Sequence, residues 1–582
     1  MSGIFFWANS PIFTKDLQLL GQVFFPGETV RVATPTDWFG PEVLGPEPAE
    51  AWQITVTALP VGVENAEAET DAEDVDVAAA EAEADEAVAE AEAVEAVALA
   101  EAILAGEATI PVVAPVVAPS IPTRRLPRSA TWSVSLHVRG PKGVRQVEQS
   151  VEVEPSASPR TIDHTIRHAA QGLLVDLLAE LTGFHPGWGI LTGVRPTKLV
   201  HQMIDRGVAD PVAELTKTYR LTAEKASLVT EVARFQRPFL HQDPRAISLY
   251  IGIPYCPTIC SFCSFSIYPI NEHRGQLPTF FEALHREMAI IGEAIQELGL
   301  RVETIYFGGG TPTSMNDQDF AAMLKQAELT LLKGQSPKEY TVEGGRPETF
   351  TRHKLDTMAA AGVSRVSVNP QTTVQSTLMH LGRIHTSEKF YRAYEMVRSH
   401  AHPFVVNCDT IIGLPGEGRE EVEYTLNDMK RLDPDNLTVH TLAIKRGSRL
   451  HQTEGAAAEA LTRLTPEEAE DLVRFAAQTA RSLGQHPYYL YRQKYMVGSM
   501  ENVGYAKPGT ESLYNIQMME ERQTVIGLGA GATSKWYKPL GENRGWLMQA
   551  KDNPNEPMAY SERAEVNAWE RVRQLRLVYD AG

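Results

Sequence analysis

Cys256, Cys260 and Cys263 lie in the segment Tyr250-Ile-Gly-Ile-Pro-Tyr-Cys-Pro-Thr-Ile-Cys-Ser-Phe-Cys, a CxxxCxxC triad. Three thiolates are one short of the four that normally hold an iron-sulfur cluster, so one iron of a [4Fe-4S] cluster keeps a position where a substrate or cofactor can chelate. Such a site is suited to radical chemistry with S-adenosylmethionine. A zinc site would need a fourth Cys or His close by, and the loop offers none before His273, outside the usual tight paired spacing.

The chain holds four cysteines, and the fourth, Cys408, sits far away in an apolar run. That count argues against a disulfide framework and for a reducing, cytoplasmic setting. Met1 to Phe13 has neither the basic leader nor the small-residue cleavage pattern of a secretory signal. The Ala- and Val-rich stretch from Ala93 to Pro119 is broken by Glu95, Glu101, Glu107 and prolines, so it does not read as a membrane span. The net charge of -20 is local, because sixteen acidic residues and no basic one fall between Glu64 and Glu107. This stretch reads as a solvated linker or transient helix, with an interaction tail as the alternative, and Pro111 to Pro119 as an extended spacer. The remaining chain is nearly balanced in charge, which predicts neither nucleic-acid nor membrane binding.

The elements that must position the thiols follow from periodicity. Alternating or β-branched segments at Thr29 to Ala33, Gln53 to Ala58 and Thr131 to Arg139 predict strands of a small domain interrupted by the acidic insert. A helix is expected between Thr161 and Gly183. The Gly-rich turn Gly187 to Lys198 lacks P-loop spacing and reads as a packed corner or a contact onto the catalytic domain. From Ile247 onward, short β-branched runs alternate with amphipathic segments. Six strands are expected, at Ser248 to Ile253, Thr304 to Phe307, Tyr340 to Glu343, Arg365 to Val368, Val405 to Ile411 and Asn436 to Leu442. They predict a partial parallel barrel, whose chemistry collects at the strand C-termini. The cysteine loop follows the first strand and Gly308-Gly-Gly-Thr-Pro-Thr313 the second. Glu343 ends the third, Gln371 follows the fourth, and Asp409 lies in the fifth ahead of Gly413-Leu-Pro415. Inward-facing acids and amides need polar partners, which a charged, hydroxylated ligand supplies.

These residues carry a resemblance. From about Ile247 to Met518 the chain resembles the oxygen-independent coproporphyrinogen III oxidase family of radical SAM enzymes, and the flanking blocks resemble its HemZ-type branch. The shared residues are Tyr250, Pro254, the cysteine triad, Gly308 to Thr313, Glu343, Gln371, Leu-Gly-Arg-Ile-His at 381 to 385, and Asp409 with Gly413-Leu-Pro415. The resemblance implies an α/β chain with a partial (β/α)6 TIM-type radical SAM barrel over 241–455. It adds a smaller α+β N-terminal domain over 1–63 and 121–240, with the insert at 64–120, and a helical C-terminal extension, 456–582, covering substrate. It further implies that Cys256, Cys260 and Cys263 hold the cluster while Gly309, Gly310, Thr311, Glu343 and Arg383 meet the methionine moiety of S-adenosylmethionine. Gln371 and Asp409 match ribose-binding positions, and Phe262, Ile411 and Ala443 match the adenine lining. Tyr250 matches a tyrosine near the cluster and is the candidate catalytic side chain.

Two positions depart from the coproporphyrinogen-converting members. Phe265 stands where they carry a further cysteine, and Gly252 where they carry a histidine. Phenylalanine is the pattern of the heme-chaperone-like branch, yet that branch's His-Asn and Tyr-Trp motif is absent. Its place is taken by Tyr488 to Lys494 and Asn502 to Pro508. A flexible fourfold carboxylate needs basic anchors beside aromatic walls. Arg446, Arg449, Tyr491, Arg492, Lys494, Tyr505 and Lys507 are the candidates. The expected activity is oxidative decarboxylation of tetrapyrrole propionates in heme synthesis, fed by a reduced donor such as flavodoxin or ferredoxin. A heme-delivery protein and a radical methyltransferase are the alternatives. Because Cys408 precedes the inward-facing Asp409, its side chain is expected to face the surrounding helices. Cys408→Ala is therefore expected to keep the iron content of the reconstituted protein and Cys260→Ala to abolish it. The reverse pattern in an iron and sulfide assay would overturn the cluster assignment.

Overall fold

The computed structural model describes residues 4–8, 30–33, 52–60, 131–140, 143–154, 157–193, 195–240, 243–445, 447–454, 463–493, 496–539 and 545–579. The acidic insert and its proline spacer lie outside the described residues. Near the N-terminus, β1 (Ile4–Ala8), β2 (Val30–Ala33), β3 (Trp52–Pro60), β4 (Thr131–Gly140) and β5 (Gly143–Glu152) form a sheet of order β2-β1-β3-β4-β5. Alternation along β4 buries Trp132, Val134, Leu136 and Val138 against the helix Pro159–Thr182. That helix starts where Ser158 accepts from the Thr161 amide and ends at Gly183 with φ +79°.

All six expected barrel strands are present: β6 (Ala246–Ile253), β9 (Arg301–Gly309), β10 (Glu339–Glu343), β11 (Arg365–Ser367), β12 (Val405–Ile412) and β13 (Asn436–Thr441). They pair in parallel, in chain order. Two short pieces in the cysteine loop, β7 (Tyr255–Cys256) and β8 (Tyr268–Pro269), pair with each other.

The C-terminal part differs from the helical extension expected of it. It holds the helices Pro466–Ser482, Leu513–Glu520 and Pro557–Tyr579, but also β14 (His486–Tyr491), β15 (Asn502–Ala506), β16 (Thr524–Gly529), β17 (Thr533–Pro539) and β18 (Gly545–Asp552). These strands extend both edges of the barrel sheet, whose order is β14-β15-β13-β12-β11-β10-β9-β6-β16-β17-β18. β16 runs parallel to β6 as a seventh barrel strand. The reason is physical: β13 and β6 would otherwise be open edges with unpaired backbone groups.

The segment from Gly187 to Gln236 also joins this larger body. Val200, Met203, Leu215, Val229 and Val232 share one buried cluster with the barrel strands. The Gly187–Lys198 turn is a contact onto the C-terminal part. Trp188 donates its indole N–H to Glu501 at 2.8 Å, Thr197 donates to Glu520 at 2.8 Å, and Arg195 and Lys198 pair with Glu521. The N-terminal end of the barrel is closed by the Leu513–Glu520 helix. Glu339, at the start of β10, accepts from the Ser512 hydroxyl at 2.9 Å and the Leu513 amide at 2.8 Å.

The last helix is fixed by a fully buried charge group. Glu287 accepts from the Gly529 amide at 2.8 Å, Tyr560 Oη at 2.7 Å, Asn553 at 3.1 Å and Arg571 at 3.3 Å. Burial pushes the Glu287 carboxyl up, and Arg571 opposes that. Arg571→Leu leaves the carboxylate buried without its cation, for which about 3–5 kcal/mol of destabilisation is expected. Urea unfolding reads this directly. A loss below about 1 kcal/mol, the level of an exposed pair, would mean the group does not anchor the helix.

Candidate active site

Strand alternation turns Tyr250 of β6 and Tyr306 of β9 into the barrel, where their rings stack at 6.0 Å. Tyr514 of the closing helix stacks on Tyr306 at 4.6 Å and on Tyr250 at 6.0 Å. Together the three rings floor the lumen. Above them the chain leaves β6 into the cysteine loop, which is held from several sides. Tyr268 N–H donates to Pro254 O at 2.9 Å, Ser261 N–H to Leu381 O at 3.0 Å, Thr258 Oγ1 to Gly382 O at 2.7 Å, and Leu450 N–H to Ser261 O at 2.8 Å.

The glycine loop packs directly onto this one. Gly310 and Thr311 amides donate to Ile253 O and Tyr255 O, each at 2.7 Å, and Thr311 Oγ1 lies 3.2 Å from Cys256 Sγ. A Cβ on Gly310 would come within 2.5 Å of Tyr255 O, and one on Gly308 within 2.7 Å of Glu343 Oε2. Gly309 takes φ +100°. Glycine is required here first so that two strand ends can touch.

Glu343 is half-buried, at the end of β10 facing the lumen. Tyr306 Oη donates to it at 3.2 Å, and among the described residues it has no ion pair. Burial, reinforced by the charge of Asp409, pushes its carboxyl up to about 8. Asp409 accepts from Asn369 Nδ2 at 2.8 Å, and His440 Nε2 lies 3.9 Å away. His440 Nδ1 in turn lies 3.1 Å from Tyr491 Oη. Gln371 sits at φ +65°, clamped by its backbone between Asp409 O and the Ile411 amide. Phe262 packs against Leu381, Ile411, Leu414, Leu442, Ile444 and Leu450, an apolar wall beside the half-buried Ala443. Arg383, buried, donates to Gly345 O and Asn369 O at 2.8 Å each, with Nη1 3.9 Å from Cys260 Sγ. Cys408 is fully buried in the large core, outside the lumen.

The basic and aromatic substrate candidates divide. Tyr491 reaches the lumen. Tyr505 does not, because it pairs in register with Leu437 and turns outward into the core. Arg492 is buried as a structural tie: it donates to Ser499 O at 2.8 Å and to Leu191 O, with its guanidinium 4.9 Å over the Trp188 ring. Lys507 pairs with Asp433 at 2.8 Å at the N-terminal end of β13, opposite the cysteine loop. Arg449 is exposed at the start of the Arg449–Glu454 helix, while Arg446 and Lys494 lie outside the described residues. Composition suggests which residues could anchor a carboxylate but not which way a strand turns them. The residues missed are Tyr306, Tyr514, Asn369, His440 and Arg346. All but Tyr514 sit in or just after barrel strands, a position that could have flagged them.

Do these residues fit a cluster and its nucleoside partner? Among the described residues no three His, Cys, Asp or Glu side chains could hold a single metal ion. Burial pushes the Cys256 thiol up to about 12 and the Cys263 thiol up to about 11, so their thiolates need positive charge beside them, which a bound metal centre would add. Arg383 Nε, Gln371 Oε1 and Asn369 Oδ1 are buried without hydrogen-bond partners. An unpartnered guanidinium N–H, an unpartnered amide oxygen and a raised carboxyl match a carboxylate, a hydroxyl and an ammonium group. The donor set fits.

Barrel and site together define a radical SAM protein. The Radical SAM superfamily pattern matches residues 250–429. Over 453 residues the chain is 37% identical to the oxygen-independent coproporphyrinogen-III oxidase-like protein HemZ of Bacillus subtilis (strain 168), covering 77% of this chain and 88% of that protein. The chain belongs to this HemZ family, and its cofactors are a [4Fe-4S] cluster and S-adenosylmethionine. It is also 27% identical over 296 residues to the heme chaperone HemW of the same organism, covering 49% of this chain and 70% of that one. A solved structure of coproporphyrinogen III oxidase (HemN) from Escherichia coli is similar over 58% of this chain and 73% of that one, with 21% identity and a TM-score of 0.44. No helix among the described residues is long and apolar enough to cross a membrane.

Glu343 gives the ligand-free protein a pH dependence. The carboxyl is ionised in the unfolded chain above its ordinary 4.5, yet the folded chain keeps it protonated up to about 8. Between those values the folded state binds the extra proton, so this residue's contribution makes stability fall as pH rises through the window. Glu343→Gln is expected to flatten that fall, measured by urea unfolding at both ends of the window. An unchanged pH slope would sink the assignment.

Proposed function

We propose that this chain oxidises the propionate side chains of a coproporphyrinogen-type tetrapyrrole to vinyl groups, releasing carbon dioxide. The supporting observation is the set of orphaned groups around the cysteine loop, each complementary to one part of S-adenosylmethionine. Cys256, Cys260 and Cys263 would hold the cluster. Arg383 Nε would take the cofactor's carboxylate, Glu343 its ammonium, Gln371 and Asp409 its ribose hydroxyls, and the Phe262, Ile411 and Ala443 wall its adenine. An ammonium beside Glu343 stabilises the ionised carboxylate, so the proton held there in the free protein leaves when the cofactor enters. When bound and reduced, the cluster and cofactor would supply radical chemistry able to take a hydrogen atom from a propionate. The floor of Tyr250, Tyr306 and Tyr514 closes the lumen from below and keeps water from the reacting carbon. His440 and Tyr491 present polar atoms on the open side of Asp409. Arg446, Arg449 and Lys494 remain the candidate propionate anchors. A cytoplasmic donor such as reduced flavodoxin or ferredoxin would supply the electron, and a separate acceptor would take up the one left by decarboxylation.

Heme binding and delivery is the second reading, supported by Phe265. Phe265 is 71% exposed two positions beyond the triad, an apolar surface beside the cysteine loop. Anaerobic reconstitution with reductant, S-adenosylmethionine and coproporphyrinogen, read by mass spectrometry, separates the readings. The expected result is 5'-deoxyadenosine formed together with loss of carbon dioxide from the tetrapyrrole. Methylated product with S-adenosylhomocysteine would replace this reading with methyl transfer. An unchanged tetrapyrrole with stoichiometric heme binding would replace it with delivery.

A further inference from the structure

Arg346 stands three residues beyond Glu343, outside the set that would touch S-adenosylmethionine, and only 2% of it is exposed. Its guanidinium reaches into the cysteine loop. Nη1 donates to Cys260 Sγ at 3.4 Å and to Thr258 O at 3.4 Å, and Nη2 donates to Thr258 Oγ1 at 2.9 Å. Glu348 receives Nε at 3.0 Å and Nη2 at 2.8 Å, and its other oxygen lies 2.9 Å from His385 Nδ1. Arg383 approaches the same sulfur from the next strand connection, at 3.9 Å. Two buried guanidinium groups thus face one thiol, with Glu348 the carboxylate paired in this group. Like charges held this close inside a protein are costly unless an anion lies between them. Cys260 Sγ is that point.

We infer that Arg346 is a positioning residue for the cluster. It hydrogen-bonds the Cys260 thiolate, fixes Thr258 and so the loop, and makes the cluster easier to reduce by placing positive charge on one of its sulfurs. This rests on the cluster reading above. Hydrogen bonds and charge at ligating sulfurs are among the factors that set cluster potentials. Glu348 and His385 aim the guanidinium, with Glu348 bonding Nε and Nη2 while Nη1 is left for the sulfur.

The test compares wild type, Arg346→Met and Arg346→Lys after anaerobic reconstitution, measuring iron and sulfide per chain and the midpoint potential by EPR-monitored titration. All three are expected to load iron. At a fixed solution potential the reduced-to-oxidised ratio of the Met variant is expected to fall about tenfold, a shift of ~59 mV for one electron, and the Lys variant to recover part of it. Full iron with unchanged potentials in both variants overturns the inference. If the Met variant loads no iron, loading restored by lysine supports a role for the charge, whereas loss in both with a wild-type circular dichroism spectrum overturns it. Wild type that binds no iron at all would overturn the cluster reading itself, a result distinct from either.

Discussion

Two carboxylates share one barrel interior, and this constraint organises the site. Glu343 and Asp409 enter from different strands, and the charge of Asp409 adds to the cost of ionising Glu343. Asp409 meets Asn369 and has His440 nearby, while among the described residues Glu343 is hydrogen-bonded only by a tyrosine hydroxyl. The free protein therefore holds a proton on Glu343 at a pH where carboxyls are normally bare. A ligand with a positive charge at one end and hydroxyls at the other relieves both groups at once. Nothing apolar, and no simple anion, does so.

Closing that interior at one end takes contributions from distant parts of the chain. The Leu513–Glu520 helix closes one end and brings Tyr514 onto Tyr306, held by Glu339 at its first turn. Glu520 and Glu521, at the end of that helix, are tied back to Thr197, Arg195 and Lys198 in the segment before the barrel. β16 then covers the open edge of β6. Residues more than three hundred positions apart thus bound one lumen.

The parallel strands were legible because each is a short β-branched run followed by a helix-period segment, and the pattern repeats without interruption from Ile247 to Leu442. β16 was not. Thr524-Val-Ile-Gly-Leu-Gly is short, ends in glycine, and pairs with a strand some 275 residues earlier, so no local period announces it. The cysteine triad and the glycine loop were readable from spacing. Side-chain direction was readable only where a neighbour fixed the phase: Cys408 faces outward because Asp409 faces in. In the Tyr488 to Pro508 block the aromatic and basic residues looked equivalent. Register separates them, sending Tyr491 to the lumen, Tyr505 to the core, and Arg492 onto Trp188.

Gly252 shows how far the architecture reaches into the chemistry. A Cβ there would lie 2.7 Å from Ala530 O, and one on Gly529 would lie 2.2 Å from Gly252 O. The two parallel strand ends lie in register, Gly529 beside Gly252, and a histidine at 252 cannot be added without moving the backbone at Ala530. A side chain at position 252 is therefore excluded in this chain by the backbone that follows β16. An imidazole does enter the lumen from another element: His440, one ring nitrogen toward Asp409 and the other toward Tyr491, arrives from β13 on the far side of the same lumen.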